Sequence, residues 1–290
     1  MSFDIPRAIF HEITARRRLP RTPETELVMD AERTVFDYSD SGEEGGALYG
    51  PYLFNALQAS ARLNANDRVV DLGCGSGRLL NLIAQWNQHV NFTGIDLAPN
   101  MLAKAHEQAE ARGLRNVNYL EGDFSTLSSI ESQSVDAVIS SMALHHLPDR
   151  EALTRCFTTI GRVLKPGGAL YLMDFGRLRT RRAIEIFVSK VSRTESRSVT
   201  QDYRASLLAA YTPEDFFCEI KRLQRQEISL HRTIVTPLVM IACTPLPTGQ
   251  IEHVLSARYK AATKSLTPQR RSELAQLRLF LQFGGMEFPS

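Results

Sequence analysis

Val69-Val70-Asp71-Leu72-Gly73-Cys74-Gly75-Ser76-Gly77-Arg78 is the stretch on which the fold turns. Two β-branched residues and a leucine read as the end of a buried parallel strand. Three alternate glycines then make a turn, and Arg78-Leu79-Leu80 opens an amphipathic helix. Because glycine has no Cβ, this backbone can lie against a ligand, with the N–H groups at the helix start facing its polar or anionic part. A tight βα turn without a ligand satisfies the same residues, so the neighbouring segments have to decide.

Downstream, Val90-Asn91-Phe92-Thr93-Gly94-Ile95 reads as a second strand that stops at Asp96. An acid there, about 20 residues past the glycines, sits where a βαβ unit meets ribose hydroxyls. Pro99 starts a helix that reaches about Gly113 with Met101, Leu102 and Ala105 inward, and Val117-Asn118-Tyr119-Leu120 leads into Glu121-Gly122-Asp123-Phe124. A fourth strand, Val135 to Ser140, runs into Ser141-Met142-Ala143-Leu144-His145-His146-Leu147-Pro148-Asp149. A helix over 150–164 is closed by Lys165-Pro166-Gly167-Gly168, and Ala169 to Asp174 is the fifth strand. This alternation argues for an α/β fold with a doubly wound parallel sheet and a ligand at the carboxyl ends of its strands.

The flanks are less regular. Residues 1–20 suggest a short amphipathic helix ended near Pro20, a lid or dimer contact. The run from Glu24 to Glu44 is acidic and reads as a solvated face, although Phe36, Tyr38, Tyr49 and Tyr52 could let an arm there cover a ligand. Tyr52, Leu53, Leu57 and Leu63 recur at helical spacing. Arg177, Arg179, Arg181, Arg182, Lys190, Arg193 and Arg197 face only Glu185 and Glu195 in their own segment, which reads as a solvated helix or an anion contact. Thr212-Pro213-Glu214-Asp215 is a helix start, and Gln226–Leu230 with Thr233–Ala242 suggests a hairpin turning across His231 and Arg232. Two helical patterns fill 250–290, where Leu274, Leu277, Phe280 and Leu281 form a stripe suited to core packing or an oligomer contact.

The 290 residues are 43% hydrophobic with a formal charge of +2, an ordinary globular composition without a dominating field for nucleic acid or membrane. No apolar run approaches the roughly 18 residues of a membrane span, and the N-terminus lacks a signal-type apolar core, so a cytoplasmic protein is expected. Cys74, Cys156, Cys218 and Cys243 form no CxxC pair, and no metal site is expected from them. Cys74, at a helix N-terminus, is where a lowered thiol pKa is conceivable.

Taken together, VVDLGCGSG, the GID ending strand two, EGDF, ALHHLPD and LKPGGALYLMDF resemble class I S-adenosylmethionine-dependent methyltransferases over roughly residues 50–243. A dinucleotide-binding dehydrogenase would carry GxGxxG/A with a small residue at position 78, where this chain has Arg78. The resemblance implies a mainly parallel seven-stranded sheet with helical N- and C-terminal additions. It divides the chain into an arm (1–50), a cofactor-binding domain (51–245) and a helical extension (246–290). It also implies S-adenosylmethionine as cofactor and S-adenosylhomocysteine as product. Asp71, Gly73, Gly75 and Gly77 would surround the methionine portion, Asp96 would take the ribose hydroxyls, and Leu97 and Met101 would flank the adenine. Asp123 and Phe124 would recognise the adenine edge, and Ser140, Ser141 and Met142 would border the sulfonium. His145 and His146 are candidates for a general base, with Asp174 a further candidate. The expected partner is a small-molecule acceptor methylated on O, N or C. RNA or protein methylation, and a binding subunit without transfer activity, are the alternatives; a homodimer through the terminal helices fits the flanks.

Overall fold

A computed structural model describes residues 4–24, 49–223, 227–247 and 253–288. In chain order come α1 (Asp4–Thr14), α2 (Tyr49–Ser60), β1 (Arg68–Leu72), α3 (Arg78–Trp86), β2 (Asn91–Asp96), α4 (Pro99–Ala111), β3 (Val117–Glu121) and β4 (Val135–Ser141). There follow α5 (Arg150–Val163), β5 (Leu164–Phe175), α6 (Arg181–Val191), α7 (Arg197–Ala209), α8 (Pro213–Arg222), β6 (Ser229–Arg232), β7 (Val239–Cys243), α9 (His253–Ser265) and α10 (Pro268–Phe283). Among the described residues the strands form one seven-stranded sheet in the order β3-β2-β1-β4-β5-β7-β6. β1 to β5 run parallel, and β7 is antiparallel to both β5 and β6.

Alternate residues of the central strands serve two cores. Val69, Ala137, Ile139, Tyr171, Met173 and Ile241 pack with α2, α3, α4, α9 and α10, whereas Val70, Leu72, Val138, Leu170, Leu172 and Met240 pack with α5 and α8. On the second face Phe157 is fully buried and meets Phe216 edge-on at 5.8 Å. Phe157→Ala is expected to cost about 3–5 kcal/mol of unfolding free energy. Urea unfolding should show a lower midpoint with an unchanged slope; a loss under about 1 kcal/mol would mean that α5 and α8 close over the gap.

Several sequence expectations need correction. Lys165-Pro166-Gly167-Gly168 does not close a helix: α5 ends at Val163, and β5 begins at Leu164. The four residues form an irregularity against β4, with Gly167 at φ 74° and Lys165 paired to Asp136 at 2.7 Å. The hairpin turns over 233–238 rather than at His231-Arg232, because the Thr233 hydroxyl donates to Thr236 O (2.6 Å) and accepts from Val239 N–H (3.2 Å). The basic segment meets acids that lie elsewhere in the sequence, with Arg177 near Asp215 and Lys190 near Glu273, both at 3.4 Å. In the C-terminal stripe Leu274 and Leu281 are core residues. Phe36, Tyr38 and the acidic residues from Glu26 to Glu44 lie outside the described residues.

The N-terminal segment is fastened to the far half of the chain. Buried Glu12 of α1 accepts the N–H groups of Arg179 and Thr180 at 2.8–3.1 Å, ahead of α6. Leu19 N–H then donates to Arg179 O and Thr22 N–H to Leu208 O, so residues 19–24 run past α7 toward the carboxyl ends of the strands.

Candidate active site

A pocket opens at the carboxyl ends of β1, β2 and β4, where the sheet order reverses, the place at which open α/β sheets take their ligands. Asp71, Gly73 and Gly75 line it from the β1 turn, Asp96, Leu97 and Met101 from β2 and α4, and Phe124 from beyond β3. Ser141, Met142 and His146 close the side beyond β4.

The glycine turn is not the anion cradle that its composition suggests. Gly73 and Cys74 N–H both donate to Ile95 O at 2.8 and 3.1 Å, Gly77 N–H to Cys74 O at 3.0 Å, and Gly75 N–H to Asp96 Oδ2 at 2.8 Å. These donors are spent on the chain. The three glycines have φ between 53° and 71°, a region costly for other residues. A Cβ on Gly75 would meet nothing within 4 Å, so that backbone faces open space. One on Gly77 would lie 2.5 Å from the Tyr119 hydroxyl and 2.8 Å from Ala105 Cβ. Gly77 thus serves packing of the turn against α4 and β3 and does not line the pocket.

Carboxylates set the pocket's electrostatics. Asp71 is 3% exposed and receives no hydrogen bond from the described residues; burial, then neighbouring Asp96, push its pKa well above the usual carboxylate range. A bound cation relieves that stress. Asp96 accepts Gly75 N–H on Oδ2 and Ala98 N–H on Oδ1, which leaves each oxygen a lone pair. For Cys74 the expectation is reversed, since burial with Asp71 and Asp96 raises its pKa well above the ordinary thiol value.

Three further residues fall outside the lining. Each carboxylate oxygen of Asp123 accepts from Ser125, at 2.7 Å from its N–H and 2.9 Å from its hydroxyl. Ser140 Oγ donates to Leu72 O at 2.8 Å and ties β4 to β1. His145 is 2% exposed, with Nδ1 2.6 Å from Asp174 Oδ1 and its main-chain N–H donating to Oδ2 at 3.0 Å. Asp174 therefore orients His145 and holds the main chain of its turn.

Residues 69–168 match a family described as a methyltransferase domain. Over 119 residues the chain is 37% identical to the ubiquinone biosynthesis O-methyltransferase of Xanthomonas axonopodis pv. citri, covering 41% of this chain and 47% of that relative. Residues 69–168 are a methyltransferase domain. The chain is also 32% identical over 123 residues to the 27-O-demethylrifamycin SV methyltransferase of Amycolatopsis mediterranei, covering 42% and 44% of the two. The matches thus span about half the length of these curated relatives. A solved S-adenosylmethionine-dependent methyltransferase from Aquifex aeolicus shares the fold, with a TM-score of 0.51 at 16% identity over 73% of this chain and 99% of that one.

Tyr52 of α2, outside those bounds, lines the pocket directly, and other residues hold its wall from behind. Asn55 of α2 is buried, donates to Ser141 Oγ at 3.3 Å and accepts from the Tyr171 hydroxyl at 2.6 Å. Met142 holds a positive φ of 56° while its N–H donates to Met173 O at 2.8 Å, a strained backbone of the kind that persists where surroundings over-determine it. Glu24 arrives from the N-terminal segment: Oε2 contacts His146 Nδ1, and Oε1 accepts from Ser206 Oγ at 3.0 Å. Burial opposes a charged His146, but the hydrogen bond and charge of Glu24, with Asp174 and Asp96, outweigh it and raise the pKa above 6.5. Burial likewise opposes an ionised Glu24; His146 and His145 outweigh it and set that pKa below 4.5. Glu24, His145 and His146 place possible ligand atoms within 4.8 Å of one another, a grouping invisible to the cysteine spacing behind the expectation of no metal. Nothing local marks Glu24 or Asn55 in the sequence, where one sits in an acidic run and the other in a helical stripe.

Proposed function

We propose that the chain transfers a methyl group from S-adenosylmethionine to an oxygen of a small-molecule acceptor, releasing S-adenosylhomocysteine. The observation that carries this reading is the carboxylate pair at the switch point, Asp71 without a described donor and Asp96 with lone pairs to spare, beside a turn whose Gly73, Cys74, Gly75 and Gly77 N–H groups bond within the chain. That arrangement suits an ammonium and a ribose diol better than a diphosphate. When bound, S-adenosylmethionine supplies an electrophilic methyl on a sulfonium, open to in-line attack. In this reading Asp71 holds the ammonium, Asp96 accepts from both ribose hydroxyls, Leu97, Met101 and Phe124 enclose the adenine, and the open face at Gly75 admits the methionine portion. Ser141, oriented by Asn55, and Met142 border the reacting centre. Alignment at near van der Waals distance supplies much of the rate enhancement, and His146 takes the proton of the acceptor hydroxyl.

The oxygen acceptor follows from His146 in the wall and from the printed activities of the relatives, both of which are methyltransferases of small molecules. Gly77, Ser140 and His145 are assigned supporting roles behind the lining, and Asp123 one in holding the turn at Ser125. A nucleic-acid acceptor has less support, because Arg177 and Lys190 of the basic segment already face Asp215 and Glu273. Among the described residues no helix is long and apolar enough to cross a membrane. Dimerisation through the terminal helices has the exposed Phe10, Ile13, Val254, Leu279 and Phe283 behind it and forms no part of the proposal.

The test is transfer of labelled methyl from S-adenosylmethionine into a fractionated cell extract. Label in small molecules, lost with Asp96→Ala, is expected. Label in nuclease- or protease-sensitive material would replace the proposal by RNA or protein methylation, and binding without label would point to a non-catalytic subunit.

A further inference from the structure

We infer that Glu24 is a positioning residue of the catalytic site, delivered by the N-terminal segment to orient His146 as general base for the acceptor hydroxyl; this rests on the proposed function above. The geometry begins with the segment itself. Arg21 clamps it down: its guanidinium donates to His145 O at 3.0 Å and to Leu147 O and Pro148 O, its Nε donates to Ala209 O at 2.6 Å, and it lies 4.1 Å over the Tyr211 ring. Tyr211 in turn donates to Leu147 O and Asp149 O at 2.8 and 2.7 Å. The segment is therefore bolted to the backbone of the very turn that carries both histidines, and Glu24 follows three residues later with a side chain only 10% exposed.

Chemistry fixes the tautomer. A carboxylate at His146 Nδ1 requires the proton there, so in the neutral ring the lone pair is on Nε2, as a base needs. When Nε2 takes the acceptor proton, the imidazolium forms beside a carboxylate already in place. His145 cannot serve in the same way, since it is buried against Asp174 and is not part of the pocket wall. The groups facing His146 are Glu24 from the N-terminal segment, His145 on the same turn with ring centroids 4.3 Å apart, Asp174 at the end of β5 and Asp96 at the end of β2, with Arg21 bound to the backbone beneath. A metal centre is the competing use of the cluster. Against it, Glu24 Oε2 and His146 Nδ1 are already in contact with each other, and Glu24 Oε1 is taken by Ser206.

The sign of the pH effect follows. Glu24 stabilises the imidazolium, so His146 becomes a free base only above its raised pKa, and the rate climbs through that value. Removing the charge should move the acid limb of the rate profile to lower pH and yield a weaker base. The same pair contributes to folded-state stability below about pH 6.5 for His146 and above about 4.5 for Glu24, fading outside that window.

The experiment compares full-length wild type, Glu24→Gln and Ser206→Ala, each bound to S-adenosylhomocysteine, by NMR titration of ring-labelled histidines. It is paired with pH–rate profiles of labelled methyl transfer to a catechol probe and to the small-molecule fraction. Expected for Glu24→Gln is a fall in the His146 midpoint, an acid limb displaced in the same direction, and a rate at neutral pH lowered by up to the roughly 10²- to 10⁴-fold that general-base catalysis supplies. Ser206→Ala should shift both the same way by less. An unchanged His146 midpoint overturns the inference, as does a midpoint that falls while the limb stays put. Transfer abolished by EDTA and restored by Mn²⁺ also overturns it, in favour of a metal centre. A wild type with the expected titration but no transfer overturns the proposed function and the positioning role with it, and the titration separates that failure from the others.

Discussion

His146→Ala is expected to lower methyl transfer to a hydroxyl acceptor by about 10²- to 10⁴-fold at neutral pH, the usual contribution of a positioned base, while the chain still retains S-adenosylmethionine. The reasoning is local. His146 lines the pocket next to Ser141 and Met142, and the groups assigned to the ammonium, ribose and adenine come from β1, β2, α4 and the β3 loop. Single-turnover transfer and equilibrium dialysis of labelled S-adenosylmethionine on the same variant separate the two effects. A rate within about 3-fold of wild type would show that alignment alone suffices and that the acceptor needs no base. A matching loss in both measurements would show that the histidine holds the turn rather than the proton.

Asp96→Ala should weaken S-adenosylmethionine binding by roughly 10²- to 10⁴-fold. Two hydrogen bonds to a charged acceptor are removed, each contributing about 1.5–3 kcal/mol. A second cost adds to this, because Asp96 also holds Gly75 N–H and Ala98 N–H, and its loss releases the glycine turn and the start of α4 together. Asp96→Asn is the control: its Oδ1 still accepts, so part of the affinity should survive. Dialysis gives the affinities directly. Equal and small losses in both variants would reduce Asp96 to a brace for the turn.

Much of the fold was legible because its determinants are local. Val69 to Arg78 specifies strand, turn and helix in ten residues, and Asp96 reports the end of β2 by itself. What failed to be legible depends on contacts that the chain makes only after folding. Thr233 moved the β6–β7 turn by binding Thr236 and Val239, and Lys165 turned an expected helix terminator into part of β5 by reaching Asp136 on the neighbouring strand. The Cys74 thiol sits at a helix start, a place that can lower a thiol pKa, yet burial, with Asp71 and Asp96 adding to it, raises the value instead. At the site, Asp71, Asp96, Met101 and His146 reach the pocket from motifs readable in sequence, whereas Asp123 is exposed and accepts from Ser125. Glu24 lies 122 residues from His146, inside a run whose acidity alone suggests solvent, and only the Arg21 clamp shows where it goes.

The measurement that bears most directly on the central claim is a calorimetric titration of the full chain with S-adenosylmethionine and, separately, with NAD⁺. A pocket built from Asp71 and Asp96 beside a turn whose Gly73, Cys74, Gly75 and Gly77 N–H groups are engaged within the chain predicts one site for S-adenosylmethionine, weakened by Asp71→Asn, and no saturable binding of the dinucleotide. Saturable NAD⁺ binding with none of S-adenosylmethionine would contradict the account.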